Sequence, residues 1–184
     1  MIVNVRGTHG AGKSTVVRSV MRLGIVAPIF GLLGPNLPEA YAVEFPRATA
    51  PTFVVGPYTS ACGGCDRISD NATVIALIEK YAERGHVLFE GSLISSTYGA
   101  VGRFLEAWRK DAAFVFLDTP LEECLRRVEA RRGYGRDERL IRNVTGKFRS
   151  GVRVYERIIA QARMRAIVSS SEEAPEIIIG EIAP

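Results

Sequence analysis

At 184 residues, with 47% hydrophobic and 24% charged residues, the chain is long enough to bury a substantial core and too apolar for a disordered polymer. No uninterrupted apolar run reaches the length of a membrane span and no signal-peptide pattern precedes the first strand-like run, so the composition excludes a membrane protein and predicts a cytoplasmic one. The net charge of +4 is mild, three cysteines do not make a disulfide framework, and a single domain over residues 1–184 is expected.

The first element is a strand over Ile2–Val5. It runs into Gly7-Thr8-His9-Gly10-Ala11-Gly12-Lys13-Ser14, which completes the pattern G-x-x-x-x-G-K-[ST] between a strand and an amphipathic run, Val16, Val17, Val20 and Met21. Such a loop turns several backbone N–H groups inward on an anion, and the opening helix adds the positive end of its dipole. Polyphosphate is the guest this geometry suits. Lys13 is placed for the β and γ phosphates, the Ser14 hydroxyl for Mg²⁺, and Thr15 for a second phosphate contact.

The first helix ends near Gly24, and Pro28, Gly31, Gly34, Pro35 and Pro38 then read as an irregular connection. Tyr41–Phe45 and Thr52–Val55 read as a hairpin or an edge strand. The loop after them contains Tyr58, Gly63, Gly64, Asp66 and Arg67. Paired glycines allow close backbone approach, Tyr58 could stack on a base, and Asp66 could meet a base edge or an acceptor hydroxyl. Cys62 and Cys65 have C-x-x-C spacing, but no second pair completes a zinc set.

Asp70 reads as the N-cap of a helix carrying Val74, Ile75, Ile78 and Tyr81 and stopping at Gly85. A buried strand over His86–Phe89 ends in Glu90-Gly91, and Val101, Phe104, Leu105 and Trp108 mark the next helix. Phe114–Leu117 is a strand closed by Asp118-Thr119-Pro120, read as a capped start of the helix with Leu121, Leu125 and Val128. A long helical region runs from about Asp137 to Arg165, with Leu140, Ile141, Val144, Phe148, Val152, Tyr155 and Ile159 inward. Ile177–Ile179 is read as the last strand. The alternation predicts an α/β fold, a three-layer sandwich of P-loop NTPase type on a mainly parallel five-stranded sheet.

Ligands of open parallel sheets gather at the carboxyl ends of the strands, which singles out Glu90. A carboxylate there either helps hold Mg²⁺ or takes a proton from an attacking hydroxyl, unless it is simply an exposed strand-end acid. Arg131, Arg132 and Arg136 surround a glycine-rich tip suited to closing over a transferred phosphate, or else form a solvated turn. Residues 103–165 hold two thirds of the Lys and Arg but fewer than half of the Asp and Glu. Within them Arg139, Arg142, Arg149, Arg153 and Arg157 fall in one helical stripe of roughly 80°, fit for a phosphate backbone or for plain solvation.

With these residues in view, the chain resembles the thymidylate-kinase-like P-loop kinases of bacteriophages, in particular the 5-hydroxymethyluracil DNA kinases. The matching pieces are Val5-Arg6-Gly7-Thr8, Ala61-Cys62-Gly63-Gly64-Cys65-Asp66, Phe89-Glu90-Gly91 and Leu117 to Cys124. The resemblance implies a nucleotide-kinase-like fold and transfer of the ATP γ-phosphate to 5-hydroxymethyluracil in phage DNA in the host cytoplasm. Lys13 and Ser14 would bind ATP and Mg²⁺, and Glu90 would be the base. The Asp-Arg pair of ordinary thymidylate kinases is replaced after Phe89 by Glu90-Gly91-Ser92, which speaks against free thymidylate as acceptor. A kinase of a free nucleoside, nucleotide or other small hydroxyl compound, and an ATPase or switch with no acceptor, are the alternative readings.

Overall fold

The apolar run before the P-loop becomes the central strand β1 (Ile2–Arg6), fully buried on both faces as parallel-sheet strands are. The computed structural model describes residues 1–46, 48–133, 135–162 and 164–183. The other strands are β2 (Ile25–Ile29), β3 (Ala40–Glu44), β4 (Thr52–Val55), β5 (His86–Glu90), β6 (Ala112–Leu117) and β7 (Arg165–Ser169), in the order β2-β3-β4-β5-β1-β6-β7. The pairs from β4 to β7 are parallel, whereas β3 pairs antiparallel with both β2 and β4. The sheet is mainly parallel as expected but, among the described residues, has seven strands rather than five, β2 and β7 being the additions to the sequence reading.

Among the described residues seven α-helices connect them: α1 (Lys13–Met21), α2 (Asn71–Ala82), α3 (Ser92–Ser96), α4 (Gly99–Ala107), α5 (Leu121–Arg132), α6 (Glu138–Arg157) and α7 (Ala174–Ile182). On one face of the sheet Leu77, Ile78, Tyr81 and Leu105 pack against Phe53, Phe89 and Phe114. On the other, Val16, Val17, Val20, Leu125 and Ile178 pack against Val3, Val5, Leu88 and Val115. These are the three layers. Helix α6 supplies Leu140 and Val144 to the second core and Val154 to the first, so it crosses from one side to the other. It passes the P-loop on the way, where the Thr8 hydroxyl donates to the Val144 carbonyl at 3.4 Å.

Register sets up the site. Val5 pairs with Glu90 on one side and with Val115 on the other, so the three central strands end together. Gly7, Gly91 and Asp118 therefore leave the sheet along one edge. The Asp70 carboxylate accepts the Thr73 N–H at 2.8 Å, as expected of the cap of α2. By contrast, α5 begins at Pro120 with no side-chain cap; Thr119 instead donates its hydroxyl to the Ala11 carbonyl of the P-loop at 2.9 Å.

Several elements differ from the sequence reading. Pro28 sits inside β2, tolerated because this is an edge strand whose missing N–H removes no interior ladder bond. Ile177–Ile179 is not a strand but part of α7, with Pro175 in its first turn. Ala174, Ile178 and Ile182 are all fully buried at a spacing of four, a helical stripe whose burial overrides the β preference of isoleucine. The last strand is β7, which begins at Arg165 where the helical reading stops and which the sequence reading left unassigned; α6 itself gives way at Ile158–Ala162 to a wide π turn. Ile141, Val152 and Ile159, expected inward, are 41%, 43% and 48% exposed. No helix among the described residues is long and apolar enough to cross a membrane.

Replacing Ile178 or Ile182 by alanine removes buried methyl groups from the stripe of α7 and should cost about 2–5 kcal/mol each. Urea denaturation checks this; a loss below about 1 kcal/mol at both positions, the size of a surface change, would contradict the helical packing.

Candidate active site

Gly10 holds φ +85°, and a Cβ there would lie 2.4 Å from the Cys124 carbonyl oxygen, so only glycine lets the loop press onto α5. The loop closes on its own lysine. The Lys13 ammonium donates to the carbonyls of Gly7 (2.9 Å) and Thr8 (3.2 Å) and to the Ser92 hydroxyl (3.4 Å). Only 6% of Lys13 is exposed. Burial pulls its pKa down, and the nearby carboxylates of Glu90 and Asp66 partly restore it.

Glu90, the last residue of β5, is 1% exposed and accepts the Ser14 hydroxyl at 2.6 Å. Its pKa is raised by burial, against the opposing pull of Lys13 and the Ser14 hydrogen bond. Serine hydroxyl and carboxylate oxygen stand side by side at the helix start, a hard-oxygen donor pair of the kind Mg²⁺ accepts.

Ser92, at the start of α3, ties the next residues together. Its N–H donates to the Asp66 carboxylate at 2.7 Å, and its hydroxyl lies 3.0 Å from His9 Nδ1. The Lys147 ammonium approaches the same nitrogen at 3.4 Å from α6. An ammonium can only donate, so Nδ1 is the acceptor and the ring proton resides on Nε2. Burial first, then the charges of Lys147, Lys13 and Arg131, lower the His9 pKa to about 4. The ring is neutral at pH 7.

These groups share one cleft of about 880 Å³, lined by His9, Gly10, Gly12, Lys13, Ser14 and Thr15 of the P-loop and α1, by Asp66, Glu90 and Ser92, and by Arg127, Arg131, Ser171 and Glu172. Lys147 looks in from α6.

Other expected residues lie elsewhere. Arg136 is held by Glu122 and Glu129 and does not reach the cleft, and Arg132 is not among its lining residues. Tyr58 is 9% exposed, with Tyr41 edge-on and the Arg18 guanidinium 5.4 Å over its ring, so it has no free face for a base. Nor do the loop glycines face a ligand. A Cβ on Gly64 (φ +72°) would lie 2.7 Å from Glu90 Oε1, and one on Gly63 would lie 2.6 Å from the Tyr58 ring; their bareness lets the loop seat Glu90. Cys62 is exposed and Cys65 buried. Arg67 donates to the Ser60 hydroxyl at 2.9 Å, outside the cleft. Arg149 and Arg153 are exposed on the outer side of α6, together with Arg139, Arg142 and Arg157.

Among the cleft residues that escape the sequence reading are Ser92, Arg127 and Lys147. Lys147 leaves a signal. At 100° per residue it lies within roughly 80° of Leu140, Val144, Val154 and Ile158, a cation in the middle of an apolar stripe.

A P-loop at the edge of a parallel sheet, with a buried carboxylate at the neighbouring strand end and basic residues around one cleft, defines a P-loop kinase. The chain belongs to the family of phage 5-hmdU DNA kinases. It is 34% identical over 145 residues to the 5-hmdU DNA kinase of Pseudomonas phage PaMx11, covering 71% of this chain and 69% of that protein. Identity to the 5-hmdU DNA kinase of Pseudomonas phage M6 is 32% over 142 residues, covering 71% and 72%. No family model matches the chain. Among solved structures, a deoxyadenosine kinase from M. mycoides with bound dATP aligns over 100% of both chains with a TM-score of 0.51 at 12% identity. A gluconokinase from Sinorhizobium meliloti covers 98% of this chain and 88% of its own, also at 0.51, with 16% identity. Both likenesses are of fold. The protein is a phosphotransferase.

His9 gives a pH prediction with a definite sign. Its folded pKa of about 4 lies below the ordinary 6.5, so the unfolded chain takes up the proton first and stability falls as pH drops from 6.5 towards 4. Relative to His9→Gln, the native protein should lose stability across that window and differ from it by a constant amount above pH 7, measured by urea denaturation. An NMR titration placing His9 near 6.5 would refute the buried neutral ring.

Proposed function

We propose that the protein transfers the γ-phosphate of ATP to the hydroxymethyl group of 5-hydroxymethyluracil carried in DNA, within the cytoplasm of an infected cell. The observation that carries this reading is the buried trio at the strand edge: Lys13 folded over the loop, with Ser14 and Glu90 joined at 2.6 Å. Loop N–H groups receive the phosphates, and Lys13 exchanges its carbonyl partners for phosphate oxygens. Ser14 is the residue that would hold Mg²⁺, its hydroxyl held in place by Glu90. The ion, when bound, offsets charge on the β and γ phosphates.

The hydroxymethyl oxygen attacks the γ-phosphorus as the bond to the β–γ bridging oxygen breaks, and ADP leaves with that oxygen. The hydroxyl proton passes to Glu90, whose burial makes it a stronger base than an exposed carboxylate. Asp66 acts on position instead: by accepting the Ser92 N–H it fixes the start of α3 beside the acceptor. Arg131, which lines the cleft, offsets charge on the transferring group, joined by Arg127. The exposed stripe with Arg149 and Arg153 follows the phosphodiester backbone of the acceptor strand.

Labelled ATP tests the acceptor directly. Transfer to duplex DNA containing 5-hydroxymethyluracil is expected, whereas label appearing only in the free nucleotide would favour a small-molecule kinase and end this reading. Lys13→Ala should lower transfer by roughly 10³-fold, and Glu90→Gln should lower kcat by roughly 10²-fold while leaving ATP binding largely intact. Replacing Arg149 and Arg153 together should reduce the slope of log affinity for DNA against log salt by about 2. An unchanged slope, measured by fluorescence titration, removes the stripe from the interface.

A further inference from the structure

Lys147 is the basic group in the cleft that the assigned roles leave unused. It projects from the buried side of α6, flanked along the helix by Val144 and Val154, which are 2% and 7% exposed. A lysine in an apolar stripe is costly unless its ammonium reaches water or an anion. Among the described residues no carboxylate lies within ion-pair distance of it. It meets the acceptor nitrogen of a neutral His9 at 3.4 Å.

That contact is one end of a short chain. Lys147 Nζ meets His9 Nδ1, His9 Nδ1 meets Ser92 Oγ at 3.0 Å, and Ser92 Oγ meets Lys13 Nζ at 3.4 Å. Two ammonium groups thus bracket one histidine–serine pair, Lys147 at the His9 end and Lys13 at the Ser92 end. Arg131 lines that cleft too. Facing these three cations are the carboxylates of Glu90 and Asp66, the first bonded to Ser14 and the second to the Ser92 N–H. The region around His9 is therefore a cationic hollow next to the P-loop, suited to a multiply charged oxyanion.

We propose that Lys147 is a second phosphoryl-contacting residue, reaching from α6 to the oxygens of the γ-phosphate opposite Lys13. This rests on the nucleotide reading above. The helix is anchored where it must be, because the Thr8 hydroxyl of the P-loop bonds the Val144 carbonyl one turn before Lys147. Lys147 therefore moves with the loop. As charge spreads over the equatorial oxygens during transfer, an ammonium on the far side from Lys13 gains contact that the ground state lacks.

The test compares Lys147→Met, which suits the apolar stripe, with Lys147→Arg. Calorimetry with Mg·ADP alone and with Mg·ADP plus aluminium fluoride, a mimic of the group in transit, separates ground-state binding from this contact. Lys147→Met should bind Mg·ADP within about 3-fold of the native protein but lose roughly 10²-fold of the affinity gained on adding fluoride. In the transfer assay the loss should fall on kcat rather than KM, and Lys147→Arg should recover part of it. An undiminished fluoride gain in Lys147→Met overturns the inference. So does an equal loss of Mg·ADP binding in that variant, which would mark a structural lysine. Failure of the native protein itself to bind Mg·ADP would instead overturn the nucleotide reading beneath it.

Discussion

The site depends on holding opposite charges out of water at the place where three parallel strands end. Lys13 and Glu90 are 6% and 1% exposed, and either alone would be expensive to bury. They are tolerated because each is hydrogen-bonded: Lys13 by two carbonyls of its own loop and Ser92, Glu90 by Ser14. Polyphosphate and metal have the charges to take over those partners. A loop that must satisfy its lysine by itself is thereby already shaped to hold the anion that replaces those contacts.

Around that core the chain supplies rigid supports from distant segments. The Cys62–Asp66 loop seats Glu90 through Gly64 and fixes Ser92 through Asp66, so it sets the geometry of the carboxylate and of α3 together. Arg18 of α1 ties the same loop down by donating to the Ser60 and Ala61 carbonyls. Thr119 grips the P-loop from the β6 side and Val144 from above. Helix α6 is the most consequential of these supports. It belongs to both cores, carries Lys147 on its inner side, and presents its arginines to solvent on the other.

Much of the site is readable in the sequence because its signals are contiguous. The P-loop octet needs no partner to be recognised, and Glu90 follows from a short apolar run that ends in an acid. The loop glycines and Tyr58 stand out as unusual, yet the reason is hidden until the chain folds: the bare backbone accommodates Glu90 and the buried Tyr58 ring within the protein. Similarly, three arginines near one glycine-rich tip look alike in a sequence. Glu122 and Glu129 take Arg136 away, while Arg131 remains in the cleft.

Sequence alone determined the alternation of strands and helices, the phosphate loop and the carboxylate beside it, because hydrophobic period and turn chemistry act over a few residues. It could not decide whether the isoleucines near the C-terminal end of the chain lie in a strand or a helix. Short apolar runs suit either, and only the neighbouring α1 and β6 select the stripe of Ala174, Ile178 and Ile182. Lys147 meeting His9 across 138 positions of chain is likewise a product of packing, since no local pattern specifies which cation a folded helix will carry over a distant loop.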